Sequence, residues 1–205
     1  MKKHPVYFLI TMFITTSFLG CASFSKKAFE AEFQNLEKEN ISKLEGSYAL
    51  NPIMKYKDKV PEEVKLNETL PDSLVTNNAY QFMVTPNYSY KKNLYRRSEN
   101  YNRSINLKFQ TANLLSVKVY EDNTVIKDTI LSGKYKKGMF YLDNKYSKSS
   151  GIPYLLGGVN NNKRRIGLTK NGNLLVNEAH SDNGAFLFLF WAGTDYNLTY
   201  EYQKK

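Results

Sequence analysis

The sequence predicts an all-β protein, and three observations support this prediction. Short segments of alternating apolar and polar residues recur at intervals of roughly eight to twelve residues through the second half of the chain, separated by turn sequences. The 16 tyrosines and 12 phenylalanines belong to residue types that β-sheets favour. The sequence has no β-α-β alternation, so a parallel sheet with a nucleotide site of the Rossmann type is not expected.

The chain begins with a short cationic segment followed by an uncharged apolar run. Lys2 and Lys3 precede residues 6–20, which carry no charge and end in small residues. This order of parts is typical of a secretory signal. The run is too short for a permanent membrane-spanning helix, which needs about 20 apolar residues. Residues 1–20 are therefore predicted to be a signal peptide.

The end of this run, Phe18-Leu19-Gly20-Cys21, resembles the lipobox of bacterial lipoproteins, and Cys21 is the only cysteine in the chain. The resemblance implies that the Cys21 thiol is acylated and that the preceding peptide bond is cleaved. Two or three acyl chains hold a protein stably on a membrane, whereas one does not. The expected partner is therefore a membrane of the cell envelope, contacted through the N-terminal lipid. Ala22 and Ser23 lack the aspartate that retains enterobacterial lipoproteins at the inner membrane, so the resemblance favours the outer membrane. The alternatives are an uncleaved signal anchor and an ordinary signal peptide whose cysteine is incidental.

Residues 21–45 are predicted to form a lipidated N-terminus and one amphipathic helix. Phe29, Phe33, Leu36 and Leu44 fall on one side at the helical period. Gly46 stands where the glycine that ends a helix belongs. A helix that served only as a spacer would need no apolar stripe, so this one is expected to dock on the domain that follows.

Residues 46–205 are predicted to form one antiparallel β domain. Strands are expected at 47–50 and 79–85, with long loops at 53–78 and 87–103. Further strands are expected at 105–110, 115–119, 125–131, 139–142, 153–156, 163–169, 174–179, 185–191 and 196–202. Asn171-Gly172 is a strong signal for a two-residue hairpin turn. A meander of about ten strands has to protect its edges, so we expect closure as a barrel, with a two-sheet sandwich as the alternative.

The segment Ala185–Trp191 is apolar at every position. A strand that is apolar on both faces has to be covered on both. Because the stripe of the N-terminal helix is the one apolar surface left without a partner, we expect Phe33 and Leu36 to cover the outer face of this strand.

The residues with the strongest resemblance to catalytic groups are Glu178, His180, Ser181 and Asp182. A Ser-His-acid site needs three side chains that converge from separate parts of the fold, whereas these are neighbours beside a turn. Strand alternation places Glu178 and His180 on one face, where they could simply pair. No Gly-x-Ser-x-Gly or Walker sequence is present. We therefore expect no catalytic residues, no metal centre and no cofactor.

A basic stretch interleaved with tyrosines is the second candidate site, and its cations are Lys91, Lys92, Arg96, Arg97 and Arg103. In a cytoplasmic protein this pattern would suggest single-stranded nucleic acid. Export makes nucleic acid an unexpected partner and favours anionic lipid or glycan, consistent with the net charge of +10. A solvated basic loop without a partner is the alternative.

Gly46-Ser47-Tyr48, at the first predicted strand, is similar to the Gly-x-Trp start of lipocalins, with Tyr48 in place of the tryptophan. The resemblance implies an eight-stranded barrel with a cavity for a small hydrophobic ligand, although the aromatic rings could instead fill the core. Two functions follow. The first is a non-enzymatic, lipid-anchored envelope protein with a structural or interaction role; the second is a lipocalin-like binder of a small hydrophobic ligand.

Overall fold

The computed structural model describes residues 22–57, 60–63, 78–86, 102–152, 156–186 and 190–205. Within these ranges one 3₁₀ helix spans Lys38–Leu44 and one α-helix, α1, spans Ala79–Val84. The strands are β1 (Phe33–Gln34), β2 (Gly46–Ala49), β3 (Met54–Lys57), β4 (Val60–Glu63), β5 (Arg103–Thr111), β6 (Leu114–Glu121), β7 (Thr124–Lys136), β8 (Met139–Leu142), β9 (Tyr146–Ile152), β10 (Leu156–Thr169), β11 (Leu174–Phe186) and β12 (Phe190–Tyr202).

These strands form one large antiparallel sheet, which confirms the all-β prediction. The order is β2-β5-β6-β7-β8-β10-β11-β12-β3-β4, and β1 and β9 both pair with β10. Most neighbours in this order are also consecutive in the chain, because short turns join antiparallel strands most simply. The hairpin across Asn171-Gly172 is confirmed: Leu168 lies opposite Leu174, and Gly172 has a φ of +80° that a residue with a side chain rarely adopts.

The two sides of the sheet approach each other at the C-terminus. Lys204 forms an isolated antiparallel bridge with Tyr48 of β2. The Ala49 N–H donates to the Gln203 carbonyl at 2.7 Å, and the Lys205 N–H donates to the Ser47 carbonyl at 2.9 Å. This contact is a single bridge, whereas a closed barrel has a continuous ladder between its first and last strands.

The predicted N-terminal helix is wrong, because residues 22–37 contain no helix and lie along the sheet through a turn and the short strand β1. A turn precedes β1, and only Lys38–Leu44 is helical, as a 3₁₀ helix. Phe29 and Leu36 are each 2% exposed, but they enter different hydrophobic clusters. In the observed path, β1 adds backbone hydrogen bonds to β10. An amphipathic helix would depend instead on packing its single apolar stripe.

The predicted strand at 79–85 is also wrong: these residues form α1. The Asn78 side chain accepts a hydrogen bond from the Gln81 N–H at 2.9 Å, which caps the first turn. Ala79, Phe82 and Met83 are all fully buried. Three apolar residues at this spacing fit a helical face, and a run of six or seven residues is too short for the pattern alone to separate helix from strand. The loop predicted at 53–78 contains β3 and β4, and residues 64–77 lie outside the described ranges.

The core lies on one face of the sheet, and a smaller cluster lies on the other. On the first face Phe82 of α1 packs edge-to-face on Tyr200, with ring centroids 5.2 Å apart. On the opposite face Phe29, Tyr56, Met139 and Leu175 form the second cluster. Leu174 and Leu175 are neighbours in β11 yet belong to different clusters, as strand alternation requires.

The apolar segment Ala185–Trp191 is not one internal strand. It contains the end of β11 at Phe186 and the start of β12 at Phe190, and residues 187–189 between them lie outside the described ranges. The expected cover by the N-terminal segment is wrong, because Phe33 lies opposite Thr169 whereas Phe186 lies opposite Leu156. These two positions are at opposite ends of β10, roughly 40 Å apart at the usual rise of a strand. In the part of the chain that the structure describes, no helix is both long and apolar enough to cross a membrane.

Candidate functional site

The residues that directly follow Cys21 are fixed on the outer face of the sheet, at a site we call the N-terminal seat (Tyr141, Arg165 and Asn197). The Asn197 amide contacts the N-terminal segment twice. Its Oδ1 accepts from the Ser25 N–H at 2.8 Å, and its Nδ2 donates to the Ser23 carbonyl at 3.0 Å. One side chain therefore satisfies a donor and an acceptor of the segment, as a neighbouring strand would.

Arg165 is the centre of the seat. Its Nη2 donates to the Ser25 carbonyl at 2.8 Å, its Nη1 to the Tyr141 hydroxyl at 2.9 Å and its Nε to Asn177 Oδ1 at 2.7 Å. The residue is 3% exposed, and burial lowers the pKa of its guanidinium, against which the Tyr141 hydroxyl acts. All three contacts use neutral oxygens, so the guanidinium acts here as a rigid donor of hydrogen bonds.

The ring of Phe24 completes the seat. It lies edge-to-face on Tyr141 with centroids 5.2 Å apart, and the Arg165 guanidinium lies 4.5 Å from its centroid. A cation over an aromatic ring contributes about 0.5–2 kcal/mol, with the larger value where water is excluded. Since Ala22 is also buried, the chain is held from the first residue after Cys21. Cys21 itself lies outside the described residues.

A second group of polar residues, Asn162, Arg164 and Glu178, is buried on the core face of the sheet. Glu178 Oε1 accepts from the Asn162 amide and from Arg164 Nη2, the latter at 3.3 Å. Arg164 Nη1 also donates to the Thr85 carbonyl at 2.6 Å, just after α1. Burial raises the pKa of the Glu178 carboxyl, and Arg164 and Asn162 oppose this shift. The group fastens the end of α1 to β10 and β11.

His180 lies close to the Glu178 carboxyl of this group. Its ring stacks on Tyr196 with centroids 4.7 Å apart. Ser181 is buried and its hydroxyl accepts from Asn183 Nδ2, while Glu178 contacts Arg164 and Asn162. Among the described residues, serine, histidine and carboxylate therefore do not converge on one point, as acyl transfer requires. The same ranges contain no group of three His, Cys, Asp or Glu side chains placed to hold a metal ion.

Two clefts lie along β12. One of about 340 Å³ runs beside the N-terminal segment, lined by Ser23, Lys27, His180 and Asp195 among others. The second, of about 210 Å³, is lined by Lys55, Lys57, Tyr196 and Leu198. Both clefts have charged side chains beside apolar and aromatic ones on their walls.

The search of family models, of curated proteins and of solved structures each gave no significant match. The geometry above is therefore the basis for any functional assignment.

Of the predicted basic site, Arg103 is the one residue in the described ranges; Lys91, Lys92, Arg96 and Arg97 lie outside them. Arg103 faces Glu121 across β5 and β6, and its Nη2 lies 3.2 Å from Glu121 Oε2. Part of its charge is therefore compensated within the sheet.

The N-terminal seat was not predicted from the sequence. A signal was available, because Lys163-Arg164-Arg165 lies inside a segment with strand-like alternation. Two adjacent arginines in a strand point to opposite faces, so at least one of them had to find buried partners or leave the sheet. The partners themselves, Ser25 and Asn197, are too far away in sequence to be inferred.

Proposed function

We propose that this protein is anchored in the cell envelope by a lipid on Cys21 and that its β domain has a non-enzymatic structural or interaction role. The N-terminal seat is the observation that carries the proposal. The seat holds Ser23, Phe24 and Ser25, which all follow Cys21, so its contacts are compatible with cleavage before Cys21. A lipid at this position would connect the membrane to a fixed point on the sheet rather than to a loose tether.

We infer that the sheet curls toward a barrel. The bridge between Tyr48 and Lys204 supports this, because it joins β2 to the continuation of β12. Between these two, the sheet order runs through β5, β6, β7, β8, β10 and β11. A ring of these strands would have the eight members of the lipocalin pattern, and closure would remove the exposed edges that promote aggregation.

The side chains packed on the core face of the sheet favour a structural role over the carriage of small hydrophobic molecules. Tyr48, Phe82 and Tyr202 are fully buried on the core face, and α1 occupies the space above the strands there. A carrier would need an apolar cavity of at least about 300 Å³ inside the barrel. Native mass spectrometry of the protein released from membranes tests this alternative, since a carrier would retain a small apolar ligand of defined mass.

The anchor is tested in cells that make the full chain. Inhibition of the lipoprotein signal peptidase should accumulate a precursor that still contains residues 1–20. Metabolic labelling with a radioactive fatty acid should mark the protein, and Cys21→Ser should abolish the label. Ser23→Ala is the matched control, because its contact with Asn197 uses the backbone carbonyl and survives the change. An unlabelled wild-type protein, or one whose mass is unaffected by the inhibitor, would overturn the proposal.

A further inference from the structure

Lysine side chains surround the N-terminal seat on the outer face of the sheet. Lys163 lies two residues before Arg165 in β10, so both side chains are on this face. The Lys163 Nζ is 5.4 Å from the centroid of the Phe24 ring. Lys134 of β7 lies opposite Tyr141 of β8, and residues that face each other across two strands share a face. The seat therefore has a lysine on each side.

The hairpin of β7 and β8 adds two more lysines and binds a third. Lys136 is two residues beyond Lys134 in β7 and so lies on the same face. Lys137 follows in the turn, and its carbonyl accepts a hydrogen bond from the Lys26 Nζ at 2.8 Å. The same Nζ lies 3.9 Å from the centroid of the Phe33 ring. The lysine patch consists of Lys26, Lys134, Lys136, Lys137 and Lys163.

The charges of the lysine patch are not neutralised by ion pairs. None of its members forms a salt bridge within the part of the chain that the structure describes. Its three members in the β7–β8 hairpin are exposed. Burial lowers the pKa of the Lys26 ammonium, and the positive charges of Arg165 and Lys137 lower it further, against the opposing effect of Glu30. Positive charge therefore accumulates here, and an anionic surface would be attracted to it.

The lysine patch lies close to the residue that we propose to carry the lipid. Phe24 is three residues from Cys21, so at most about 11 Å of chain separates them. This length is similar to the Debye length, about 8–10 Å at physiological ionic strength, within which exposed charges still act on one another. A lipid on Cys21 would therefore hold the patch within electrostatic reach of the headgroups of the membrane.

We propose that the lysine patch is the membrane-facing surface of the domain and binds the headgroups of anionic phospholipids. The inference rests on the proposed function, because a lipid on Cys21 is what brings the domain to a membrane. Basic residues beside an anchor are attracted to the negative potential of anionic lipid. The acyl chains alone leave the domain free to rotate about the anchor, so the patch determines which face lies on the bilayer.

An exposed apolar residue on the same face favours a bilayer over a soluble acidic partner. Ile130 is four residues before Lys134 in β7, so it shares the face of the patch, and it is 53% exposed. Asp128, two residues earlier, forms an ion pair with Lys118 at 3.2 Å, which compensates its charge. Apolar side chains beside lysines are the combination found on elements that lie at a membrane surface.

The test measures which lysines of the full chain are protected by a bilayer. The protein is reconstituted into vesicles of phosphatidylcholine, alone or mixed equally with phosphatidylglycerol, and treated with a water-soluble acetylating reagent. Mass spectrometry gives the rate of acetylation at each lysine. We expect Lys134, Lys136 and Lys163 to react at least about threefold more slowly on the anionic vesicles, with less protection at high salt.

Two lysines on the core side of the sheet are internal controls. Lys57 lies opposite Leu198, which is part of the core, and Lys127 lies over the ring of Tyr80 in α1. Both should react at the same rate on the two kinds of vesicle. Equal rates at the patch on the two kinds of vesicle would overturn the proposal, whether its lysines react freely or are covered in both by another protein.

Two matched variants make the assignment specific, and all four substituted lysines are exposed. Lys134→Gln with Lys136→Gln should restore fast acetylation of Lys163 on anionic vesicles, because the weakened patch no longer holds this face on the bilayer. Lys57→Gln with Lys127→Gln removes the same charge and should leave Lys163 protected. Equal loss of protection in the two variants would show that net charge, and not this face, attracts the bilayer, and would overturn the proposal.

Failure of the patch and failure of the lipid anchor are distinguishable. Fatty-acid labelling of Cys21 reports the anchor without reference to any lysine. A labelled protein whose patch reacts equally on both kinds of vesicle has the anchor but not the membrane-facing surface. An unlabelled protein whose patch is protected only on anionic vesicles has the surface but not the lipid.

Discussion

Arg165 and Ser25 lie 140 residues apart in sequence, yet the Arg165 guanidinium donates to the Ser25 carbonyl at 2.8 Å. This bond joins the centre of the longest strands to the first residues after Cys21. It gives the start of the β domain a defined position. A lipid on Cys21 would hold the domain at this position only while the N-terminal segment stays bound in the seat.

Removal of Asn197 should release the N-terminal segment. Asn197→Ala loses two hydrogen bonds to Ser23 and Ser25, each worth about 1 kcal/mol. Trypsin should then cleave after Lys26 or Lys27 at least several times faster than in the wild type, as followed by mass spectrometry. Asn160→Ala, in the part of β10 that pairs with β9, is the control. Equal cleavage in both variants would mean that the seat does not hold the segment.

The buried pair of Arg164 and Glu178 should be coupled. Glu178→Leu leaves the Arg164 charge buried without its carboxylate and should lower the free energy of unfolding by about 3 kcal/mol. Addition of Arg164→Met should recover part of that loss, because no charge then remains to be buried. Urea unfolding of both variants measures the difference. A double variant no more stable than Glu178→Leu alone would show that the buried Arg164 charge is not the source of the loss.

The stability of the domain should fall in alkaline solution because of Tyr48. Burial raises the pKa of its phenol from 10.0 to about 12, so the folded state keeps the proton that the unfolded chain loses. The contribution of Tyr48, about 3 kcal/mol, is fully present below pH 10 and is lost as the pH rises toward 12.

Tyr48→Phe tests this expectation. At neutral pH the variant loses only the hydrogen bond from the hydroxyl to the Leu44 carbonyl, about 1 kcal/mol. Between pH 10 and 12 its free energy of unfolding, from urea titrations, should decline less steeply than that of the wild type. Parallel curves would exclude Tyr48 as the source of the alkaline loss.

Gly133 should not tolerate a side chain. A Cβ there would lie 2.5 Å from the Tyr141 carbonyl oxygen and 2.6 Å from the Phe140 ring. Gly133→Ala should therefore lower the melting temperature, at a cost of about 2 kcal/mol. Gly184→Ala is the matched control, because the nearest atom to its Cβ is 3.7 Å away. Equal melting temperatures in the two variants would contradict this account.

The basic stretch should contribute to binding of anionic surfaces. Lys91, Lys92, Arg96 and Arg97 changed together to Ser should weaken association with anionic vesicles, and the effect should diminish at high salt because surface charges are then screened. Arg103→Ser should weaken binding less, because Arg103 already pairs with Glu121. Unchanged binding of the fourfold variant in low salt would favour the solvated loop.

Local features were predicted correctly wherever a few adjacent residues determine the backbone. The hairpin at Asn171-Gly172 is an example, because the turn residues and the flanking alternation specify it together. The same reasoning failed for residues 22–45 and 79–85, where helix and strand patterns are compatible with the same short apolar runs. There the choice depends on distant partners, such as Arg165 for Ser25 and Tyr200 for Phe82.

The sequence by itself determined an antiparallel β protein rich in aromatic residues, because composition, period and turn residues are local properties. Only the tertiary structure decided that the N-terminal segment lies in a seat on the sheet, that α1 packs on the core, and that Phe186 ends one strand while Phe190 begins the next. These depend on which residues meet across long stretches of chain. The free energy of such contacts depends on how the whole domain packs, so it cannot be inferred from the residues adjacent to one position in the chain.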